Sequence, residues 1–293
     1  MLQMNDVTKS FGTFRALDHL SMTVPEGSVY GLVGPNGAGK STSIRVLTGV
    51  YRPDSGNATL RGIPIYENTL MKQKMCSIPD EIFYFPSATL EEMASFYEGV
   101  YPRFDRALYK RLFEVFGLPQ KSPLRKFSKG MQKQAAFHLS LCTRPEILIL
   151  DEPVDGLDPV MRRQVWSLIM SDVAQAGTTV LISSHNLREL EDICDHVGIM
   201  DHGRMLLERS LADMQGSTVK LQMVGKTPEG LEILHESHSG QLKTLVVRGS
   251  AEKVAALAQK SQPTYYDVLP LSLEEIFIYE LGGVNYEVKN ILL

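Results

Sequence analysis

Cysteine is scarce: the 293 residues hold three, Cys76, Cys142 and Cys194. Their odd number and scattered placement exclude a disulfide framework and a zinc nest, and suit buried thiols in a reducing compartment. Long apolar runs are missing too. The most apolar stretches, such as EILILDEPV, are broken by charge well before the roughly eighteen residues that a membrane helix needs. The amino-terminal MLQMNDVTKSFG lacks both a basic start with an apolar stretch and a small-residue cleavage site, so the expected location is cytoplasmic. Nor does one sign of charge dominate. With 30 Lys and Arg against 34 Asp and Glu, a net of −4, a basic nucleic-acid footprint over the whole chain is excluded, and only a local patch remains open.

What is present suits a globular protein with one large core and one small one. SVYGLV, EILILD and TTVLISS are short runs of Val, Ile and Leu with helical patterns between or after them. Strands of a mostly parallel sheet, buried on both faces, read this way. MNDVTKSFG and RALDHLSMTVPEG instead alternate apolar and polar residues around a turn at Phe11 and Gly12, which predicts an antiparallel edge.

From Ser87 to about Gly117 the period becomes helical. Thr89 and Glu92 form a capping box, after which Leu90, Met93, Phe96, Tyr97 and Val100 fall on one face and are expected to pack inward. Leu108, Leu112, Val115 and Phe116 make a second stripe. After VGIMDHGRMLLERS, whose His-Gly reads as a hairpin turn, the texture changes at about residue 217. TVKLQMV, QLKTLVVRG and YYDVLP alternate as strands, AEKVAALAQ reads as a helix, and SLEEIFIYEL as a last helix.

The chemistry begins at GPNGAGKST, in which Gly34, Pro35, Asn36, Gly37, Ala38, Gly39, Lys40, Ser41 and Thr42 lie between a strand and a helix. Glycines let successive amides curl around an anion, and the helix beginning near Gly39 points its positive end at the same place. Lys40 adds a full charge between the outer phosphates of a nucleotide, and Ser41 offers a hydroxyl to Mg2+. In EILILDEPVDGLDP, Asp151 and Glu152 end an apolar strand. A carboxylate there can hold the metal's water shell and its neighbour can polarise an attacking water, so Asp151 takes the magnesium role and Glu152 that of general base. His185 ends TTVLISSH, and in open α/β sheets ligands sit at the carboxyl ends of strands.

Taken in order, these motifs resemble the ATP-binding subunit of an ABC transporter over about residues 2–210, most nearly the ABC-2-type exporters. Gly34 to Thr42 match Walker A, FSKGM the signature motif, ILILDE Walker B, GLD the D-loop, and His185 the switch histidine. The resemblance implies a P-loop NTPase of α/β class: a mostly parallel core sheet, an antiparallel edge subdomain, a helical insert over about 87–140, and a small C-terminal α+β domain. The cassette would then span 1–216 and the accessory domain 217–293. It also implies ATP and Mg2+ as ligands, with Phe11 stacking on adenine and Asp158 of the D-loop at the nucleotide. Two subunits would form a homodimer or heterodimer in which Ser128 and Gly130 of one meet the γ-phosphate held by the other.

An integral membrane permease would be a separate chain, which would hold this subunit on the inner face of the cell membrane and carry out export; no nucleic acid is expected. The family's Q-loop glutamine aligns with Asp80, assigned here to the metal site, and Met131 replaces the signature glutamine. An ionised aspartate accepts hydrogen bonds but cannot donate them as glutamine can, so coupling between hydrolysis and movement is expected to depart from the usual pattern. Lys129, between Ser128 and Gly130, reaches either a phosphate or solvent, while Arg125 and Lys133 read as a solvated face. The alternative is an ABC ATPase that acts as a switch on ribosomes or DNA. Such relatives join two cassettes or insert long coiled coils, and this chain has neither feature.

Overall fold

The computed structural model describes residues 1–272 together with Glu274 and Glu275. Most of the helix expected over 272–281 lies outside the described residues. The chain divides into two compact units, Met1–His185 with His196–Glu208, and Asn186–Asp195 with Arg209–Leu293.

In chain order, β1 (Leu2–Phe11) and β2 (Phe14–Val24) form a hairpin and β3 (Val29–Val33) runs into α1 (Lys40–Leu47). Next come β4 (Ser55–Leu60), β5 (Ile63–Pro64), α2 (Thr69–Lys72) and β6 (Met75–Ile78). Helices α3 (Leu90–Val100), α4 (Arg106–Phe116) and α5 (Lys129–Cys142) form the insert. They are followed by β7 (Ile147–Asp151), α6 (Pro159–Ala176), β8 (Thr179–Ser184), the short α7 (Arg188–Glu191), β9 (His196–Asp201) and β10 (Arg204–Ser210).

The edge hairpin recruits β4 and β5 into a four-stranded sheet of order β2-β1-β4-β5, antiparallel throughout. The central sheet has the order β10-β9-β3-β8-β7-β6, and β9, β3, β8, β7 and β6 run parallel. Every residue of β3, β7 and β8 is buried, and most are Val, Ile or Leu, as strands covered on both faces require. Each such side chain removed from water contributes about 1.5–3 kcal/mol. Parallel direction has a second effect: the carboxyl ends of β3, β7 and β8 lie side by side at one edge, so the segments after Val33, Asp151 and Ser184 converge.

The Thr89 capping box is formed: Glu92 N–H donates to Thr89 Oγ1 at 3.3 Å, and Thr89 N–H to Glu92 Oε2 at 2.8 Å. The inward face of α3 differs from expectation. Leu90, Met93 and Ala94 are buried, whereas Phe96 and Val100 are 49% and 41% exposed. The small Ala94 takes the close-packed position, and Phe96 turns outward to meet Phe85 edge-on at 5.2 Å between ring centroids. In α4, Leu112 and Phe116 are buried but Val115 is exposed.

In the second unit, α8 (Leu211–Ser217), β11 (Thr218–Val224), β12 (Glu232–Ser239), β13 (Leu242–Arg248), α9 (Ala251–Lys260) and β14 (Tyr265–Pro270) follow one another. Its antiparallel sheet has the order β12-β13-β11-β14. Alternate residues Val219, Leu221 and Met223 pack with Leu245, Val247, and Val254 and Ala258 of α9. β12 is exposed along most of its length, so its composition gave no strand period to read.

Candidate functional site

The loop between β3 and α1 is shaped by what its glycines avoid. A Cβ on Gly34 would stand 2.3 Å from the Met200 carbonyl oxygen, and one on Gly39 would stand 2.8 Å from that of Ala16. Gly39 is also left-handed, at φ 106°, and caps α1 with no side chain. No acidic residue occupies the first turn of α1, so its amides face outward uncapped and fit an anion. Pro35 and Ala38 close the turn with a 3.1 Å backbone bond, Asn36 and Gly37 lie exposed at the tip, and Ser41 and Thr42 open the helix, partly buried.

Lys40 is 6% exposed. Its ammonium donates to the carbonyls of Gly34 at 2.7 Å and Pro35 at 3.3 Å, and lies 3.5 Å from Glu152 Oε1. Burial lowers its pKa, and Glu152 and Asp151 partly offset this. A phosphate entering the loop must therefore compete with Glu152 for this cation.

Asp151 and Glu152 stand where β7 ends. The Ser183 hydroxyl, on neighbouring β8, donates to Asp151 Oδ1 at 2.5 Å and accepts from the Glu152 amide at 3.1 Å. His185 Nδ1 meets Glu152 Oε2 at 2.9 Å; because a carboxylate only accepts, the histidine tautomer must carry its proton on Nδ1. Glu152 has φ 46°, a left-handed conformation unusual for a residue with a Cβ. Ser183 was missed by sequence reasoning, although its place two residues before His185 on the adjacent strand was a usable signal.

At the start of α5, Ser128 is the N-cap and its Oγ accepts from Met131 N–H at 3.3 Å. Lys129 is exposed. Gly130 is not crowded: a Cβ there would meet its nearest neighbour, the Gly156 carbonyl oxygen, at 3.6 Å. Lys133 departs from the expected solvated face. It is 8% exposed, donates to the Glu152 carbonyl at 2.8 Å, and lies 3.7 Å from Asp80 Oδ1. The residue falls on the α5 face turned toward the end of β7, which a helical wheel of α5 alone cannot reveal. Asp80 is half exposed, with its carboxylate toward Lys133. The Asp158 carboxylate caps α6, accepting from Val160 and Met161 amides at 2.9 and 3.0 Å. Phe11, 44% exposed, packs edge-on to Tyr51 at 5.3 Å between centroids.

The residues expected at a metal, Ser41, Asp151 and Asp80, offer only oxygen donors, and of these Asp80 turns its carboxylate to Lys133, 3.7 Å away. Among the described residues no three His, Cys, Asp or Glu side chains gather into a nest. That donor set fits a hard cation such as Mg2+, which takes one or two protein oxygens and completes its shell with phosphate and water.

Residues 17–155 match the family model described as "ABC transporter". Over 94% of both chains the protein is 31% identical to the linearmycin resistance ATP-binding protein LnrL of Bacillus subtilis. The chain belongs to the ABC transporter ATP-binding proteins.

Within this family it is 28% identical to the ABC transporter ATP-binding protein YtrB of Bacillus subtilis, over 97% of this chain and 99% of that one. A solved ATP-binding subunit of an ABC transporter superposes with a TM-score of 0.68 at 27% identity, over 73% of this chain and 92% of that chain. As an ABC ATPase, the protein binds and hydrolyses ATP as the motor subunit of a transporter. Cassettes of this family dimerise and work within transporter complexes. No helix among the described residues is long and apolar enough to cross a membrane.

Proposed function

We propose that ATP binds with its phosphates on the 34–42 loop and that Glu152 is the general base for its hydrolysis. The observation that carries this reading is the convergence at Glu152, whose carboxylate lies 2.9 Å from His185 Nδ1 and 3.5 Å from Lys40 Nζ. Lys40, released toward a phosphate, leaves Glu152 free to accept a proton from water, and His185 orients the carboxylate from the other side. Ser41 and Asp151 would hold Mg2+, which would supply charge neutralisation for the phosphates. Ser183 supports this assignment by fixing the Asp151 oxygen and the Glu152 amide with one hydroxyl. Phe11 offers an exposed ring for adenine, and Asp158, whose carboxylate caps α6, would approach the nucleotide through its loop.

The second copy, identical or homologous, contributes Ser128 and Gly130. Their place at an exposed helix N-terminus, with space above Gly130, suits a phosphate brought by a partner. A separate permease spans the membrane, and its transport direction is outward, as the resistance named for LnrL suggests. Glu152→Gln tests the core of the reading. Turnover should fall by a factor of at least about 100 while ATP-bound dimers accumulate; turnover equal to wild type would remove Glu152 as base.

A further inference from the structure

We propose that Lys133 is a positioning residue for ATP hydrolysis: its ammonium holds the main chain of Glu152 in the conformation that presents the carboxylate to the site, and Asp80 is its counter-charge. The inference rests on the reading of Glu152 as general base.

Glu152 sits one residue beyond the last residue of β7. Its φ of 46° lies in the left-handed region, which residues with a Cβ occupy only when their surroundings hold them there. Two strong bonds do so. The amide donates to Ser183 Oγ at 3.1 Å, and the carbonyl accepts from Lys133 Nζ at 2.8 Å, with a longer contact from the Asp155 amide at 3.4 Å. The peptide groups on either side of Glu152 are thus held, one from β8 and one from α5. Rotation of either would swing the side chain off His185 and Lys40.

An ammonium that is 8% exposed needs an anion or several acceptors near it. Asp80, 3.7 Å away on the segment after β6, supplies the charge. Lys133 lies on the helix that begins with Ser128 and Gly130, so one side chain ties the base to that helix and to the Asp80 segment. Lys133 itself bonds to Glu152 and Asp80, and it reaches Lys40 of the 34–42 loop indirectly, through the Glu152 carboxylate. Loss of the ammonium should therefore slow the chemical step and spare nucleotide binding.

The test uses the full chain with Mg2+ and ATP, measuring steady-state turnover, equilibrium binding of a fluorescent ATP analogue, and the thermal midpoint. Lys133→Met should lower kcat about tenfold or more with the nucleotide Kd changed less than about twofold. Lys133→Gln, which keeps a donor for the carbonyl but no charge for Asp80, should fall between Lys133→Met and wild type. Asp80→Asn should lower kcat in the wild-type background and add little to Lys133→Met, because the two act through one contact. Wild-type kcat in Lys133→Met overturns the proposal, as does a loss of nucleotide affinity in step with kcat. Full additivity of the two substitutions removes Asp80 from it. Should Lys133→Met fail to fold, Lys133→Gln and the half-exposed Asp80→Asn decide between the same outcomes. Glu152→Gln in the same assay separates the two readings: slow Glu152→Gln with normal Lys133→Met rejects only the positioning role, whereas normal Glu152→Gln rejects the base.

Discussion

The Ser183 hydroxyl donates to Asp151 Oδ1 at 2.5 Å while accepting from the amide of Glu152 at 3.1 Å. One buried hydroxyl on β8 thus positions both acidic residues at the end of β7. Two adjacent residues with different roles are held by a single atom of the neighbouring strand, in register because Asp151 pairs with Ser183.

Replacing that hydroxyl is therefore expected to act twice. Ser183→Ala leaves a buried carboxylate oxygen and an amide without their partner, which costs about 1–3 kcal/mol of stability. It should also raise the Mg2+ concentration needed for half-maximal ATPase activity. Denaturant unfolding and a magnesium titration check the two effects separately, and an unchanged magnesium requirement would leave Ser183 a purely structural residue.

Gly130→Ala separates folding from assembly. The nearest atom to a Cβ would be 3.6 Å away, an ordinary contact, so this chain has room for the methyl group and the thermal midpoint should stay near wild type. A partner's phosphate approaching the α5 amides would not have that room. ATP-dependent dimerisation by light scattering should weaken about tenfold or more. Ser128→Ala should weaken the same dimer by about 1.5–3 kcal/mol, the scale of a hydrogen bond to a charged group. A dimer of normal affinity in both variants would place the phosphate contact elsewhere.

His138 gives the helical insert a pH dependence. It is fully buried among Tyr109, Phe113 and Phe116, and its Nε2–H donates to the Tyr109 carbonyl at 2.7 Å. Among the described residues Nδ1 has no hydrogen-bond partner, and burial lowers the pKa from 6.5. The unfolded chain then binds the proton more readily than the folded one, so stability is full above pH about 6.5 and declines as pH falls below it. His138→Gln, which keeps a donor but cannot titrate, should lose this slope. Urea midpoints at pH about 8, 6.5 and 5 measure it, and identical slopes for the two proteins would exclude His138 as the cause.

Thiol chemistry offers a simple check on the core. Cys76, Cys142 and Cys194 are buried and unpaired, and burial raises all three pKa values, that of Cys142 to about 12. Iodoacetamide at pH about 8 should label none of them in the native protein on a timescale that labels all three in urea. Rapid native labelling of Cys142 would contradict its packing between α5 and its neighbours.

Much of this was legible in the sequence because it depended on near neighbours along the chain. The Thr89 capping box, the His202-Gly203 turn and the strand-loop-helix at Gly34 to Thr42 are set by residues within a few positions of one another. Phe96 and Val100 misled because helical spacing says which residues share a face, and not whether a neighbour covers all of it. Lys133 misled for the converse reason: a cation on a helix is ordinarily solvated, and only the end of β7 turns its position into an interior one.

By itself the sequence determined the α/β class, the phosphate loop, and the acidic pair after an apolar strand, since local sterics and periodicity act over short spans of chain. The tertiary structure alone decided that Ser183, Lys133 and His185 close around that pair. Those contacts join residues 19 to 33 positions apart, and their formation depends on which strands lie side by side in the parallel sheet and how α5 packs against their ends.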